Sequence, residues 1–386
     1  MCPKSPFLST VLSIEDPVSG PVKCDSENLN FHFILCFMRP TKMSQPRRAH
    51  NSIPKKIRVS TGTGIVLGLV DGKIDATPTT AYLMTYRKTK CSANCKFCPQ
   101  ARTSSGKAGM LSRVSWPAFP TKQVIDKLKE ISDRNILRRV CIQALNYPEV
   151  FTHLQAIAKK VSETMSIPIS VSCQPLNAAD MKHLAEAGVD RIGIPLDAAN
   201  SELFNKVKGK HAGGPYRWKR QFELLKKAVN IFGRGFVSTH LIVGLGETEN
   251  EMVDVIQNCV DMGVLPGLFA FTPIRGTRME NESQPPMQKY RRIQAARHLI
   301  LNGISRSEKM LFDDKGQLVD FGVEKGILTS IVQTGQPFLT SGCPDCNRPY
   351  YNEKPSGPIY NYPRKLREEE VSEIQYQLNL GRGSDL

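Results

Sequence analysis

The 386-residue chain has no apolar run long enough to span a membrane, and Phe31–Met38 falls far short of the length required. No signal-peptide pattern is visible. Glu15, Asp16, Asp25 and Glu27 argue against the acid-poor composition of a transit peptide. Acid is absent from 39–58, which holds Arg39, Lys42, Arg47, Arg48, Lys55, Lys56 and Arg58. That stretch also lacks the interleaved aromatics on which single-stranded nucleic acids stack, so it reads as a solvated basic lead-in. Neither Cys nor His occurs between Pro99 and Val140, which leaves the nearby cysteines no local fourth partner. No internal repeat appears beyond an alternation of strand and helix.

Cysteine and positive charge are plentiful. Eleven cysteines, grouped as C-x3-C-x2-C and C-x2-C, predict metal binding in a reducing compartment, hence a cytoplasmic location, rather than a disulfide framework. The formal charge of +16, from 52 Lys+Arg against 36 Asp+Glu, favours acidic partners such as a carrier protein or an electron donor.

Residues 1–52 lack sustained periodicity and are expected to be a disordered or mis-annotated extension, with Met43 an alternative start. Residues 53–79 lead into a region, 80–312, where strand-like and helix-like segments alternate. The strands are expected at 81–86, 139–142, 167–173, 190–196, 236–243 and 265–272. The helices are expected at 121–133, 149–164, 178–187, 216–231, 249–262 and 287–301. The fold class is therefore α/β, with parallel strands closed fully or partly into a TIM-like (β/α) barrel. Residues 313–364 form a C-terminal segment carrying Cys343 and Cys346, and 365–386 a charged helical tail. Functional side chains of such barrels gather at the C-terminal strand ends. On that rule Cys91, Cys141, Cys173, Asp197 and the run Gly244-Leu-Gly246-Glu247 should meet at one mouth.

Cys91, Cys95 and Cys98 follow the first strand in Cys91-Ser-Ala-Asn-Cys95-Lys-Phe-Cys98-Pro-Gln100. Three thiolates are one short of the four that normally hold a [4Fe-4S] cube, leaving an open iron. The alternative is a structural zinc knuckle, which would require a fourth close ligand. With Phe97 before the last cysteine, the motif resembles the signature of the radical S-adenosylmethionine (SAM) superfamily. The resemblance implies a [4Fe-4S] cluster whose open iron chelates SAM. Lys96-Phe-Cys-Pro-Gln100 is similar to the cluster loop of biotin synthase, and Leu241–Thr248 to the motif along SAM's adenosine, which brings in Gly244, Gly246 and Glu247. Asp197, in Pro195-Leu-Asp197, matches the residue that holds the SAM ribose; a helix or turn cap is its alternative role.

Biotin synthase carries an auxiliary cluster held by barrel cysteines and one arginine. Cys141 and Cys173 match two of those ligands, Ser238 stands where the third would be, and Arg306 near the arginine's place. With Cys343 and Cys346, four thiolates would complete a second [4Fe-4S] cluster; buried free cysteines and a small zinc site are the alternatives. Contacts of Arg306 or Ser341 with that cluster are left open. Including Ser341–Asn352, the pattern resembles the subunits of the archaeal-type, two-component lipoyl synthase. That resemblance implies sulfur insertion into the octanoyl chain of a lipoyl carrier protein, a second radical SAM subunit, and an electron donor such as ferredoxin or flavodoxin. It singles out no catalytic side chain. The other readings are a radical SAM enzyme for a small molecule and a zinc-containing RNA-binding module.

Overall fold

The computed structural model describes residues 53–134 and 136–380. The expectations for 1–52, including most of the basic lead-in and the Met43 start, lie outside the described residues. The described residues fall in one compact unit.

The elements run in chain order as strand β1 (Lys56–Val59), helix α1 (Thr61–Val66), β2 (Thr80–Thr85), the two-residue strands β3 (Met110–Leu111) and β4 (Val114–Ser115), β5 (Ala118–Pro120) and α2 (Thr121–Ser132). Next come β6 (Arg139–Gln143), α3 (Val150–Thr164), β7 (Ile169–Ser172), α4 (Ala178–Glu186) and β8 (Arg191–Gly193). They are followed by α5 (Ser201–Val207), α6 (Trp218–Phe232), β9 (Val237–Val243), α7 (Glu249–Asp261), β10 (Val264–Ala270) and α8 (Met287–Leu301). The small pair β11 (Leu311–Phe312) and β12 (Leu318–Asp320) precedes α9 (Lys325–Gln333) and α10 (Glu368–Gln377).

The main sheet has the order β10-β9-β8-β7-β6-β2-β1-β5. Strands β2 and β6 to β10 are parallel, and β1 and β5 add an antiparallel edge beside β2. The sheet is an open arc and not a closed barrel, since β10 does not pair with β2.

Local sequence explains the arc. Strand β2 buries all six of its residues, as a central parallel strand covered on both faces must. In β9, Val237, Thr239, Leu241 and Val243 are buried toward the helices, while Ser238, His240 and Ile242 face inward, the period-two split of a strand. Helix α2 buries Val124, Ile125, Leu128 and Ile131 at helical spacing. Side chains of Asn177, Asn200 and Thr248 cap α4, α5 and α7, and Glu251 completes a capping box with Thr248.

The expected alternation holds, with local corrections. The fourth parallel strand is only Arg191–Gly193; the chain continues to Asp197, which makes an isolated bridge to Leu241. Helix α5 was not anticipated. Thr61–Val66 is helical because Ser60 caps it and Leu67 closes it. The tail forms α10, with Ile374 buried and Glu370 paired to Arg364.

The C-terminal segment spans the gap that the open arc leaves. The Leu268 N–H of β10 donates to Ser341 Oγ at 2.7 Å. At the other side, the Thr79 N–H donates to Asn347 Oδ1 at 3.0 Å and the Arg348 N–H to Tyr82 Oη at 2.8 Å. Cys343 and Cys346 are thereby clipped between the far edge of the arc and β2.

Candidate functional site

Inside the arc lies a cavity of ≈ 260 Å³, lined among others by Cys91, Cys95, Cys98, Cys141, Cys173, Cys343 and Cys346. Of the residues expected to meet at the strand ends, Cys91, Cys141, Cys173 and Asp197 line this cavity, although Cys141 sits mid-strand in β6 rather than at its end.

The loop after β2 shapes itself around its thiols. The Cys98 N–H donates to Cys95 O at 3.1 Å, and the Cys91 N–H to Gln100 O at 3.0 Å. Asn94 pins the loop from beneath by donating to Ala212 O at 2.9 Å. The Asn146 N–H donates to Cys91 Sγ at 3.1 Å. Burial pushes the Cys98 thiol up to about 12 and Cys95 well above its ordinary value. Burial also raises Cys91, with the Asn146 N–H partly offsetting it. Thiolates in this loop therefore need attached positive charge, which a bound metal would supply, and the Asn146 N–H already points at the Cys91 sulfur. Among the described residues no three Cys, His, Asp or Glu side chains close on a point that a single ion could occupy. Three thiols around one wall of the cavity suit the wider face of a cluster. Phe97 lines the cavity beside them.

Asp197 lines the same wall, and its carboxylate meets Lys208 Nζ at 2.6 Å. Lys208 is 1% exposed and Asp197 8%, so this is a buried pair. Asp197 adopts φ 69°, a left-handed conformation uncommon for a residue with a Cβ, held by its N–H donating to His240 O at 2.7 Å. Lys208 also lies 5.1 Å from the Tyr216 ring centroid.

Gly244, Gly246 and Glu247 have a different placement. Glu247 accepts from the Gly244 and Leu245 N–H groups at 2.8 and 2.9 Å and pairs with Lys289 at 3.0 Å. The carboxylate thus holds the turn that ends β9. Gly244 (φ 102°) packs so closely on Pro285 that a Cβ would lie 2.8 Å from it. None of the three lines the cavity; Ile242 from the same motif does.

On the opposite wall, burial, together with Cys343 and Cys346, pushes Cys141 up to about 12. Gln143 Nε2 donates to Cys141 Sγ at 3.1 Å, and Tyr82 Oη lies 3.3 Å from Cys346 Sγ. Cys343 is raised by burial and then by Cys346. Cys141, Cys343 and Cys346 therefore form one electrostatic group. Cys173 lines the same cavity and is raised by burial, with Asp180 and none of the other three thiols the charge acting on it.

Arg306, whose contact with a second cluster the sequence leaves open, does not line the cavity. It is half-exposed on the outer surface, bound to Asp261 and Glu308 at 3.0 and 3.1 Å. The arginine that lines the cavity is Arg348, 4.0 Å from the Phe269 ring centroid. Ser341 is an anchor on β10, and Ser238 lines the cavity. Sequence reasoning passed over Arg348, Lys208 and His240. Arg348 lay inside the motif around Cys346, and the inward side of β9 pointed to His240, but nothing local marked Lys208.

Residues 87–259 match the family model for the Radical SAM superfamily. The chain is 24% identical over 193 residues to 7,8-didemethyl-8-hydroxy-5-deazariboflavin synthase of Methanocaldococcus jannaschii, covering 48% of this chain and 51% of that protein. It is 27% identical over 200 residues to the biotin synthase of Aquifex aeolicus, covering 50% and 55%. It thus spans about half the length of these curated relatives. The structure of the FeFe-hydrogenase maturase HydG from Carboxydothermus hydrogenoformans matches with a TM-score of 0.45 at 17% identity, over 57% of this chain and 51% of that one. No described helix is long and apolar enough to cross a membrane.

Proposed function

We propose that this chain, whose residues 87–259 match the Radical SAM family model, is a radical SAM sulfurtransferase acting on the octanoyl chain of a lipoyl carrier protein. The observation that carries the reading is the presence of two separate cysteine groups on the walls of one cavity. Cys91, Cys95 and Cys98 would hold the cluster that binds SAM; Cys141, Cys343 and Cys346 would hold an auxiliary cluster. When bound, the first would supply hydrogen abstraction from an unactivated carbon, and the second the sulfur.

The protein's own work is placement and exclusion of water. Asp197, held by Lys208, would accept from paired hydroxyls. Ile242, Phe269, Phe271 and Phe97 give the cavity apolar walls, which suit a saturated chain and keep water from a reactive centre. Arg348 adds a cation to the cavity wall beside Phe269, and Arg139 and Arg191 are the cations that favour the charged form of Cys343.

The test is iron content after anaerobic reconstitution, wild type against Cys343→Ala/Cys346→Ala. About eight irons against about four is expected, with the variant still cleaving SAM but forming no thiolated octanoyl-lysyl peptide. About four irons in both would overturn the auxiliary cluster. A small-molecule substrate is the second reading, favoured by the relatives that are biotin synthases; turnover of a free acid with an inert octanoyl-lysyl peptide would establish it. Bound zinc and no SAM cleavage would leave the RNA-binding module.

A further inference from the structure

Two cations and one carboxylate line the cavity: Lys208, Arg348 and Asp197. Lys208 and Asp197 answer each other at 2.6 Å. Arg348 has no acid partner among the described residues, and its side chain donates only to Leu268 O, at a long 3.4 Å. Glu353, a carboxylate within reach of its charge, is taken, since it accepts from the Asn352 and Asn361 N–H groups at 3.0 and 2.9 Å. The cations acting on Cys343 are Arg139 and Arg191. A guanidinium can only donate, so an unpaired one in a cavity with apolar walls calls for an acceptor that the protein does not supply.

Two further polar side chains share its position. The Arg348 guanidinium lies 4.0 Å from the Phe269 ring centroid, the His240 ring 4.8 Å and the Tyr351 ring 5.8 Å from the same centroid. Among the described residues, neither the His240 ring nitrogens nor Tyr351 Oη has a hydrogen-bond partner. They are not among the polar atoms that the fold seals off unpaired, and all three residues line the cavity. Burial holds His240 down to about 4 and Tyr351 well above its ordinary value, so both are neutral and Arg348 is the cation of the set. Arg348 (φ 30°) and Tyr350 (φ 54°) adopt left-handed backbone uncommon for residues with a Cβ, and the Arg348 N–H is fixed by Tyr82 Oη at 2.8 Å.

We propose that Arg348, His240 and Tyr351 form a polar subsite that receives the amide group of the octanoyl-lysyl substrate and so sets which carbon of the chain lies at the sulfur. The inference rests on the function proposed above. A saturated chain has no register along apolar walls such as Ile242 and Phe271, because dispersion contacts have no direction. The amide carbonyl is its strong acceptor, and a directional bond from a cation fixes the chain lengthwise. A neutral imidazole also offers an acceptor nitrogen, which suits the N–H of an amide and not a carboxylate. No bond forms or breaks at this subsite.

The test uses the full chain reconstituted with iron and sulfide, wild type against Arg348→Met and Tyr351→Phe. Binding of an octanoyl-lysyl peptide and of free octanoate is measured by calorimetry. Deuterium transfer to the adenosyl fragment of SAM is followed from peptides labelled at single carbons of the chain. Arg348→Met should keep the wild-type iron content, weaken peptide binding at least about tenfold and spread deuterium transfer over neighbouring carbons. Tyr351→Phe, which removes only a hydroxyl, should weaken peptide binding about threefold. Unchanged peptide binding and labelling pattern in both variants would overturn the subsite. So would loss of iron in Arg348→Met, which would make the arginine part of a metal site, or a loss of binding confined to octanoate. A wild type whose peptide binding depends on Arg348 but which transfers deuterium from none of the carbons would instead refute the proposed function, so the two failures read differently. A wild type that binds no peptide would overturn both.

Discussion

The two walls of the cavity reach similar chemistry by opposite routes. Cys91, Cys95 and Cys98 come from one eight-residue stretch, and loop hydrogen bonds such as Cys98 N–H to Cys95 O shape it. Cys141 comes from mid-strand β6, and Cys343 and Cys346 from a segment some two hundred residues later that is anchored on β10 and on residues around β2. Burial raises Cys98 and Cys141 alike, to about 12. Each wall therefore favours neutral thiols until a cation arrives, but the first takes its three cysteines from one loop, braced by Asn146, Val207 and Ala212, whereas the second joins two segments far apart in sequence.

Single substitutions should separate the walls. Cys95→Ser should abolish SAM cleavage, whereas Cys141→Ala should keep cleavage while lowering iron by about four per chain. Cys173→Ala should leave iron content at the wild-type value, since Cys173 stands outside the group of three. Loss of iron in that variant would return it to the ligand set.

A smaller effect concerns the support of the first wall. Lys208→Ala leaves the Asp197 carboxylate buried without its cation and should cost about 3–5 kcal/mol in urea unfolding. Lys208→Met/Asp197→Asn should recover much of that loss. A cost of under about 1 kcal/mol for Lys208→Ala would show that the pair is dispensable for folding.

The smallest effect is a pH dependence between the walls. His240 faces the cavity from β9, 4.8 Å from the Phe269 ring, and burial holds it down to about 4. Asp197 raises it in part, while Arg348 and Lys208 lower it. The unfolded chain then binds the extra proton first as pH falls. The stability His240 contributes is full above its unfolded value of about 6.5 and is lost as pH drops through about 4. His240→Gln should flatten the decline in urea midpoint between these limits by on the order of 1–3 kcal/mol. An identical slope would show that other groups carry the acid sensitivity.

Much of this was legible beforehand where the signal is local. The parallel strands and their crossover helices follow from periodicity, and the Cys91–Cys98 loop from spacing alone. Asp197 was found by its place after a strand. The misses share a cause. Gly244, Gly246 and Glu247 read as cavity residues, yet Glu247 turns inward to hold its own turn and Lys289. For Arg306 the question stays open in the sequence, because its position there does not reveal which side of the sheet it reaches.

By itself, the sequence determined the alternating elements, the three-cysteine loop and the acid-free lead-in, because each depends on neighbours a few residues away. The tertiary structure alone decided that the arc stays open and that residues 341–348 bridge it. It also decided that Cys141 shares a wall with Cys343 and Cys346, and that Lys208 closes on Asp197. These are contacts between distant segments, and they depend on how the arc curves and which side of each strand faces in. No local pattern encodes either.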